Sequence, residues 1–367
     1  MSGRRTGPVA LCYGTRPQTI KAAVVRRELQ AVGPVVAVDT GQHYDFELNA
    51  LLYQQLGVEP PDSFLEVGSG SHASQTAAIL VRCEELLQLR DASAVVVIGD
   101  TNSTLAACLA AVKLRIPVVH VEAGLRAADA LMAEEINRRV VDAVSSVLCA
   151  PSRLSAERLE RESPAGRILV TGDVARDVLR EQLDRIPPVG SLLPPGVQPP
   201  YAYVTLHRAE LTETPARLSA IIAELGALQV PAVFPMHPRT RAALERGGFP
   251  TASRGRLTIT PPVGYHESLA LTQGARFVIT DSGGLQREAY WLGVPCLTLR
   301  AETEWQETAA LGANVLLPPD AAPFELRAAC ERLLLAAPVP WECSAYGDGH
   351  AGRRIAAAVA DLVSRTA

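Results

Sequence analysis

The chain contains no apolar run approaching the about 18 uninterrupted residues that cross a bilayer. Its first residues, MSGRRTGPVALCYGTRP, carry two early arginines but too short an apolar stretch for a secretory leader. A soluble, cytoplasmic protein without a membrane partner is expected. Basic charge is not in excess: 35 Lys and Arg stand against 39 Asp and Glu, a formal charge of -4, so no overall field recruits a nucleic acid. Any anionic ligand must be held by a few placed cations and helix ends. Cysteine is sparse, odd in number and scattered (positions 12, 83, 108, 149, 296, 330 and 343), and no Cys/His or His/His pair has ligand spacing. That excludes a disulfide framework and a zinc site and leaves reduced core thiols, with no metal expected.

What the chain does have is a recurring alternation. Short apolar, β-rich runs at 8–14, 34–40, 93–100, 116–124, 145–151 and 166–173 are separated by stretches of helical periodicity, such as ASQTAAILVRCEELLQLR from Ala73. Fully apolar strands alternating with amphipathic helices indicate a parallel sheet covered on both faces. The proline-rich IPPVGSLLPPGVQPP (186–200) suits neither helix nor central strand and reads as a linker. The pattern then restarts at 201–207, 231–237, 256–262, 275–284 and 294–300. With roughly 150 residues per domain as a guide, the expected fold class is α/β, as two Rossmann-type doubly wound domains. Their extents are 1–185 and 201–345, with 346–367 as a C-terminal helix returning to the first domain.

In such sheets ligands bind beyond the carboxyl ends of the strands. The polar residues ending these runs are Arg16, Asp100, Glu122, His207, His237 and Ser282, three from each domain, which places a site in the cleft between two facing domains. The Ser282-Gly283-Gly284 turn presents backbone N–H groups at a helix start, a geometry suited to a diphosphate, with Glu288 further on as a partner for ribose hydroxyls. An ordinary glycine-containing strand-to-helix turn is the alternative. YGTRPQTIK adds Arg16 and Lys21 at a second such turn, suited to an anionic group or to a solvated helix start. Neither turn reads G-x-G-x-x-G or G-x-x-x-x-G-K-[ST], which disfavours an NAD mechanism. Asp100 and Glu122 follow consecutive strands and so lie near one another, as acid and base or, for Asp100, as a helix N-cap. Glu134 and Arg138 are four apart on a helix, ordinarily a solvent-facing salt bridge. His207 and His237 end strands of the second domain, as proton-transfer groups or as caps.

Together, GTRPQTIK, TGQHYD, GDTNST, HVEAGLR, AEEINRR, VTGDVARD, VTLHR, DSGGLQREA, LGVPCLTLRAETEW and YGDGHAGRRI resemble, in order and spacing, the non-hydrolysing UDP-N-acetylglucosamine 2-epimerases over residues 8 to 356. The resemblance implies a GT-B-like pair of domains facing across a cleft, a UDP-sugar substrate, no cofactor, a homodimer, and a role in polysaccharide biosynthesis. It implies elimination of UDP from C1 with the proton from C2, then re-addition with protonation on the other face. On the matching motifs, Asp100, Glu122, Glu134 and His207 are the acid/base residues. Arg16, Lys21, Arg138, His237, Ser282, Gly283, Gly284 and Glu288 bind the nucleotide.

Some positions depart from the family's usual pattern. Gln18 replaces the glutamate after GTRP, Ala133 replaces a proline, and Trp305 replaces an arginine in TEWQE. VGSGSHASQT and TEW resemble the subgroup acting on UDP-2,3-diacetamido-2,3-dideoxyglucuronic acid. A second, activating substrate molecule in bacterial relatives is held through a Gln-His pair, a further glutamine and an arginine. Gln42 and His43 are present here, but Asp45 and Ser74 stand at the other positions, so hyperbolic kinetics are expected. Alternatives sharing the same groups are a hydrolysing epimerase and a member recruited to elimination on another nucleotide or nucleoside.

Overall fold

The computed structural model describes residues 5–42, 59–335 and 344–366. It divides into two compact units, residues 1–181 with 346–367 and residues 182–345. In the first, seven strands form one sheet: β1 (Val9–Tyr13), β2 (Val35–Asp39), β3 (Ser63–Phe64), β4 (Ala94–Ile98), β5 (Val118–Val121), β6 (Val147–Ala150) and β7 (Arg167–Val170). Their order is β3-β2-β1-β4-β5-β6-β7, with every pairing parallel. Val, Ile, Ala and Leu dominate β1, β4, β5 and β6, with His120 in β5 as the polar exception, because helices cover both faces, so neither side of the pleat meets water. The covering helices are α1 (Arg16–Gln30), α2 (His72–Leu89), α3 (Asn102–Lys113), α4 (Ala133–Val144), α5 (Arg153–Glu162) and α6 (Val174–Gln182).

The second unit repeats the plan with six parallel strands: β8 (Ala202–Thr205), β9 (Ala232–Pro235), β10 (Leu257–Thr260), β11 (Phe277–Thr280), β12 (Cys296–Thr298) and β13 (Asn314–Leu316). The order is β10-β9-β8-β11-β12-β13. Its helices are α7 (Ala209–Thr212), α8 (Pro215–Gly226), α9 (Pro238–Arg246), α10 (Tyr265–Gly274), α11 (Gly283–Trp291), α12 (Gln306–Ala310) and α13 (Pro323–Leu335). The proline-rich stretch contains one short 3₁₀ turn (Val189–Ser191), a second (Leu183–Arg185) lies just before it, and Val189, Leu192 and Leu193 pack on this unit's core beside Tyr201 and Leu271. The last helix, α14 (Ala351–Thr366), packs on α1 in the first unit.

The turn into α14 reads G-x-G-x-x-G at 347–352. Among the described residues it follows a turn at 344–346 and no strand, and the Asp177 carboxylate takes the first N–H groups of the helix, accepting from Ala351 at 3.0 Å and Gly352 at 2.8 Å. The helix end that such a string offers a phosphate is therefore already filled by the protein. β3 and β13, of two and three residues, escape any reading by alternation, since a run that short carries no period.

Both strand orders reverse direction once, between β1 and β4 and between β8 and β11. Crossovers leave these two strand ends toward opposite sides and open a crevice there. Gly124, just past β5, is confined by the tightness of this packing: its φ is +80°, and a Cβ would lie 2.4 Å from the Ser155 carbonyl oxygen. Gly124→Ala is expected to lower the thermal midpoint by roughly 4 °C or more. A scanning-calorimetry midpoint equal to the parent's would contradict that packing.

Candidate active site

In the first unit the chemistry collects beyond β1, β4 and β5. β1 ends in a turn to α1 that leaves Arg16 exposed and directs Lys21 inward, where its Nζ meets Glu122 Oε1 at 2.6 Å. Glu122 follows β5 and is buried, with φ of +69°. A non-glycine residue in the left-handed region costs about 1–3 kcal/mol and persists where surrounding contacts hold it, often at functional sites. Gly99 at the end of β4 lets the chains approach: a Cβ there would stand 3.3 Å from Glu122 Oε2.

Asp100 is not the N-cap of α3. Thr101 takes that position in a capping box with Thr104, which frees the Asp100 side chain to pair with Arg138. Asp100 is 31% exposed, while Arg138 is buried. Burial is the largest influence on the Asp100 carboxyl and pushes it above its ordinary range; Arg138 and Lys21 oppose the rise, and Glu122 and Glu134 add to it. The solvent-facing Glu134–Arg138 pair is not what forms. Arg138 instead binds Asp100 and, through Nε at 3.0 Å, Glu135, which is fully buried and also takes Arg139 at 2.8 Å. Glu134 stays half-buried in the first turn of α4, close enough to be felt by Asp100. The signal for this arrangement was in the spacing: Glu135, Arg138 and Asp142 recur on one helical face, which makes them the buried stripe of α4.

Gln18 is buried behind these groups. Its Oε1 accepts the Gly14 N–H at 3.0 Å, and its Nε2 donates to the Ile98 carbonyl at 2.6 Å and to the Thr104 hydroxyl at 3.0 Å. The amide thus joins the ends of β1 and β4 without adding a charge. Gln42 accepts from Ser103 N and Oγ at 2.9 and 2.6 Å. His43 and Asp45 lie outside the described residues, and Ser74 sits in the first turn of α2, its N–H capped by Ser71.

In the second unit, β8 and β11 deliver His207 and Ser282 to one cavity of about 280 Å³. Ser282 caps α11, accepting from Leu285 N at 3.4 Å, so Gly283 and Gly284 form the first turn of the helix, where N–H groups lack internal partners. His237 caps α9: its Nδ1 accepts the Arg239 N–H at 3.1 Å, which puts the ring proton on Nε2 as a donor. The His207 and His237 rings lie 5.6 Å apart. Asp281, not singled out from sequence, anchors this corner: its Oδ2 accepts the N–H groups of His207 and Arg208, both at 2.8 Å, and its Oδ1 faces His207 Nδ1 at 3.6 Å. Glu288 lines the same cavity beside Tyr265. Burial pushes its carboxyl up, opposed by Arg287 and the Tyr265 hydrogen bond. The Arg287 guanidinium is buried and lies 3.8 Å over the Trp305 ring.

The first unit thus carries Asp100 and Glu122 against Arg138 and Lys21, and the second carries a capped helix start beside two histidines. Among the described residues no cluster of three His, Cys, Asp or Glu side chains is placed to hold a metal ion.

The model of the family described as UDP-N-acetylglucosamine 2-epimerase matches residues 27–360. A Pseudomonas aeruginosa protein named UDP-2,3-diacetamido-2,3-dideoxy-D-glucuronate 2-epimerase is 39% identical over 359 residues, 95% of this chain and 98% of that protein. A Methanococcus maripaludis protein named UDP-N-acetylglucosamine 2-epimerase is 35% identical over 360 residues, 95% of this chain and 96% of that one. The Methanocaldococcus jannaschii UDP-GlcNAc 2-epimerase, solved in complex with UDP-GlcNAc and UDP, superposes with a TM-score of 0.84 at 36% identity, covering 96% of this chain and 98% of that one.

The Asp100 environment is directly measurable. In protein labelled with carboxyl-¹³C aspartate, Asp100 is expected to titrate above the ordinary aspartate range, and Arg138→Met to move it further up by removing the opposing cation. With the folded-state value above the unfolded one, protonating Asp100 favours the folded state as pH falls through it. An unmoved or lowered titration in the variant would show that Arg138 does not govern this carboxyl.

Proposed function

The chain belongs to the UDP-N-acetylglucosamine 2-epimerase family, nucleotide-sugar isomerases of GT-B-like α/β fold, and from that premise we propose that it inverts C2 of UDP-2,3-diacetamido-2,3-dideoxyglucuronate. The observation that carries the chemistry is the juxtaposition of Asp100 and Glu122 at neighbouring strand ends, Asp100 against Arg138 and Glu122 against Lys21. C2 of a 2-acetamido sugar bears no acidic proton, so inversion without redox chemistry needs a good leaving group at C1. A base takes the C2 proton as the C1–O bond to UDP breaks, its electron pair leaving with the diphosphate, and a C1=C2 glycal results. The diphosphate oxygen then re-forms the C1 bond while an acid delivers a proton to the opposite face of C2. Atoms balance, and nothing is oxidised or reduced.

Two faces of C2 require two proton-transfer groups, and Asp100, Glu122, Glu134 and His207 are the candidates in this reading. Asp281 holds the His207 backbone in place. The Ser282-Gly283-Gly284 turn and His237 Nε2–H suit the diphosphate, whose charge grows as it leaves, and Glu288 suits the ribose hydroxyls. Arg16, Lys21 and Arg138 supply further positive charge. The choice of sugar is supported by the 39% identical Pseudomonas aeruginosa relative. UDP-N-acetylglucosamine is the second reading, favoured by the 36% identity to the Methanocaldococcus jannaschii enzyme. The homodimeric assembly and cytoplasmic setting implied by the family resemblance belong to the same proposal.

The test is proton NMR in D₂O with each UDP-sugar in turn. Deuterium entering C2, gluco/manno interconversion and intact nucleotide sugar are expected with the diacetamido-glucuronate. Accumulating free UDP would point to the hydrolysing reaction, and exchange only with UDP-N-acetylglucosamine would transfer the assignment to that sugar. In the same assay His207→Ala and Glu122→Ala are each expected to lower turnover by roughly 10²-fold or more with folding preserved; near-normal turnover in either removes that residue from the mechanism.

A further inference from the structure

Beneath the two carboxylates lies a histidine that the chemistry above does not use. His120, in the middle of β5, is fully buried. Its Nδ1 stands 2.7 Å from Asp142 Oδ1 on α4, and its Nε2 stands 2.8 Å from the Gly99 carbonyl oxygen at the end of β4. Asp142 Oδ2 accepts the Gly124 N–H at 3.1 Å and Arg126 Nη1 at 2.8 Å. Burial alone would push the Asp142 carboxyl up, but the His120 ring and the Arg126 guanidinium together hold it below the ordinary range.

The donors and acceptors at this point admit one assignment. A backbone carbonyl only accepts, and a carboxylate engaged by a guanidinium and a backbone N–H is also an acceptor. Both ring nitrogens of His120 therefore face acceptors at hydrogen-bond distance, and both must donate. We infer that His120 is a doubly donating positioning residue that ties the backbone entering Asp100 to the backbone leaving Glu122. One bond fixes the Gly99 carbonyl, immediately before Asp100. The other fixes Asp142, and through it the Gly124 N–H, two residues beyond Glu122. Gly99, Glu122 and Gly124 all have φ between 69° and 80°, so the bonds close on the segments whose backbone is in the left-handed region. Donating through both nitrogens, the ring lies between the Gly99 carbonyl and Asp142 in surroundings that exclude water.

The functional consequence rests on the epimerase reading; the state of the ring does not, and the experiment separates them. In protein labelled with ¹⁵N-histidine at pH 7.5, long-range proton–nitrogen spectra should show both His120 nitrogens as N–H type, with protons that exchange slowly. The signals are assigned by their loss in His120→Gln, or by that slow exchange if the variant does not fold. An imine-type nitrogen on His120 would overturn the inference. In the turnover assay, folded His120→Gln should lose roughly 10- to 100-fold in kcat with KM within about twofold, because misplaced acid/base groups slow the chemical step more than binding. A merely structural histidine would lower thermal stability and leave kcat per folded molecule unchanged, and that result would also overturn the positioning role. If the wild-type protein turns over neither sugar, the function is misassigned while the nitrogen spectra still decide the state of the ring.

Discussion

A parallel sheet covered on both faces leaves polar side chains one place to gather, beyond the carboxyl ends of its strands, and this constraint organises both units. Along β1, β4, β5 and β6 every residue is buried, and a charge inside any of those runs would need a partner that apolar helices cannot provide. Polar side chains are thereby pushed to the first residues after each strand: Asp100 after β4, Glu122 after β5, His207 after β8 and Ser282 after β11. The reversal of strand order at β1/β4 and β8/β11 then decides which of these ends open on a crevice. His120 is the exception that tests the rule. It is the polar side chain in the middle of β5, and it is tolerated because both nitrogens find acceptors.

The two units solve the problem of holding charge differently. The first uses ion pairs, with Lys21 on Glu122 and with Arg138 shared by Asp100 and Glu135. Such buried pairs contribute little net stability once desolvation is counted, but removing one partner leaves a stranded charge, so the geometry is held rigidly. The second unit relies on neutral or partly compensated devices: the capped N-terminus of α11, a histidine whose tautomer is set by capping α9, and a guanidinium stacked on Trp305.

Much of this was written locally. Valine-rich runs alternating with amphipathic helices, the proline-rich stretch at 186–200 and the restart of the pattern after it determined an α/β fold with two Rossmann-type units, because side-chain period and turn chemistry are properties of neighbouring residues. Asp100, Glu122, His207, His237 and Ser282 were legible for the same reason, as polar residues ending apolar runs. Partner choice was not. Lys21 meets Glu122 across 101 residues of sequence and Arg138 meets Asp100 across 38, and nothing near either residue specifies its mate. Helical spacing alone offered Arg138 the nearer Glu134, yet the buried face of α4 carries Glu135, so the pair turned inward. Asp281 and His120 stood inside stretches already noted, but their importance follows from which strand ends the sheet makes adjacent. The sequence by itself determined the elements, the class of fold and where polar groups emerge; only the tertiary structure decided which of those groups face one another, because strand order, not chain proximity, sets the distances over which hydrogen bonds and charges act.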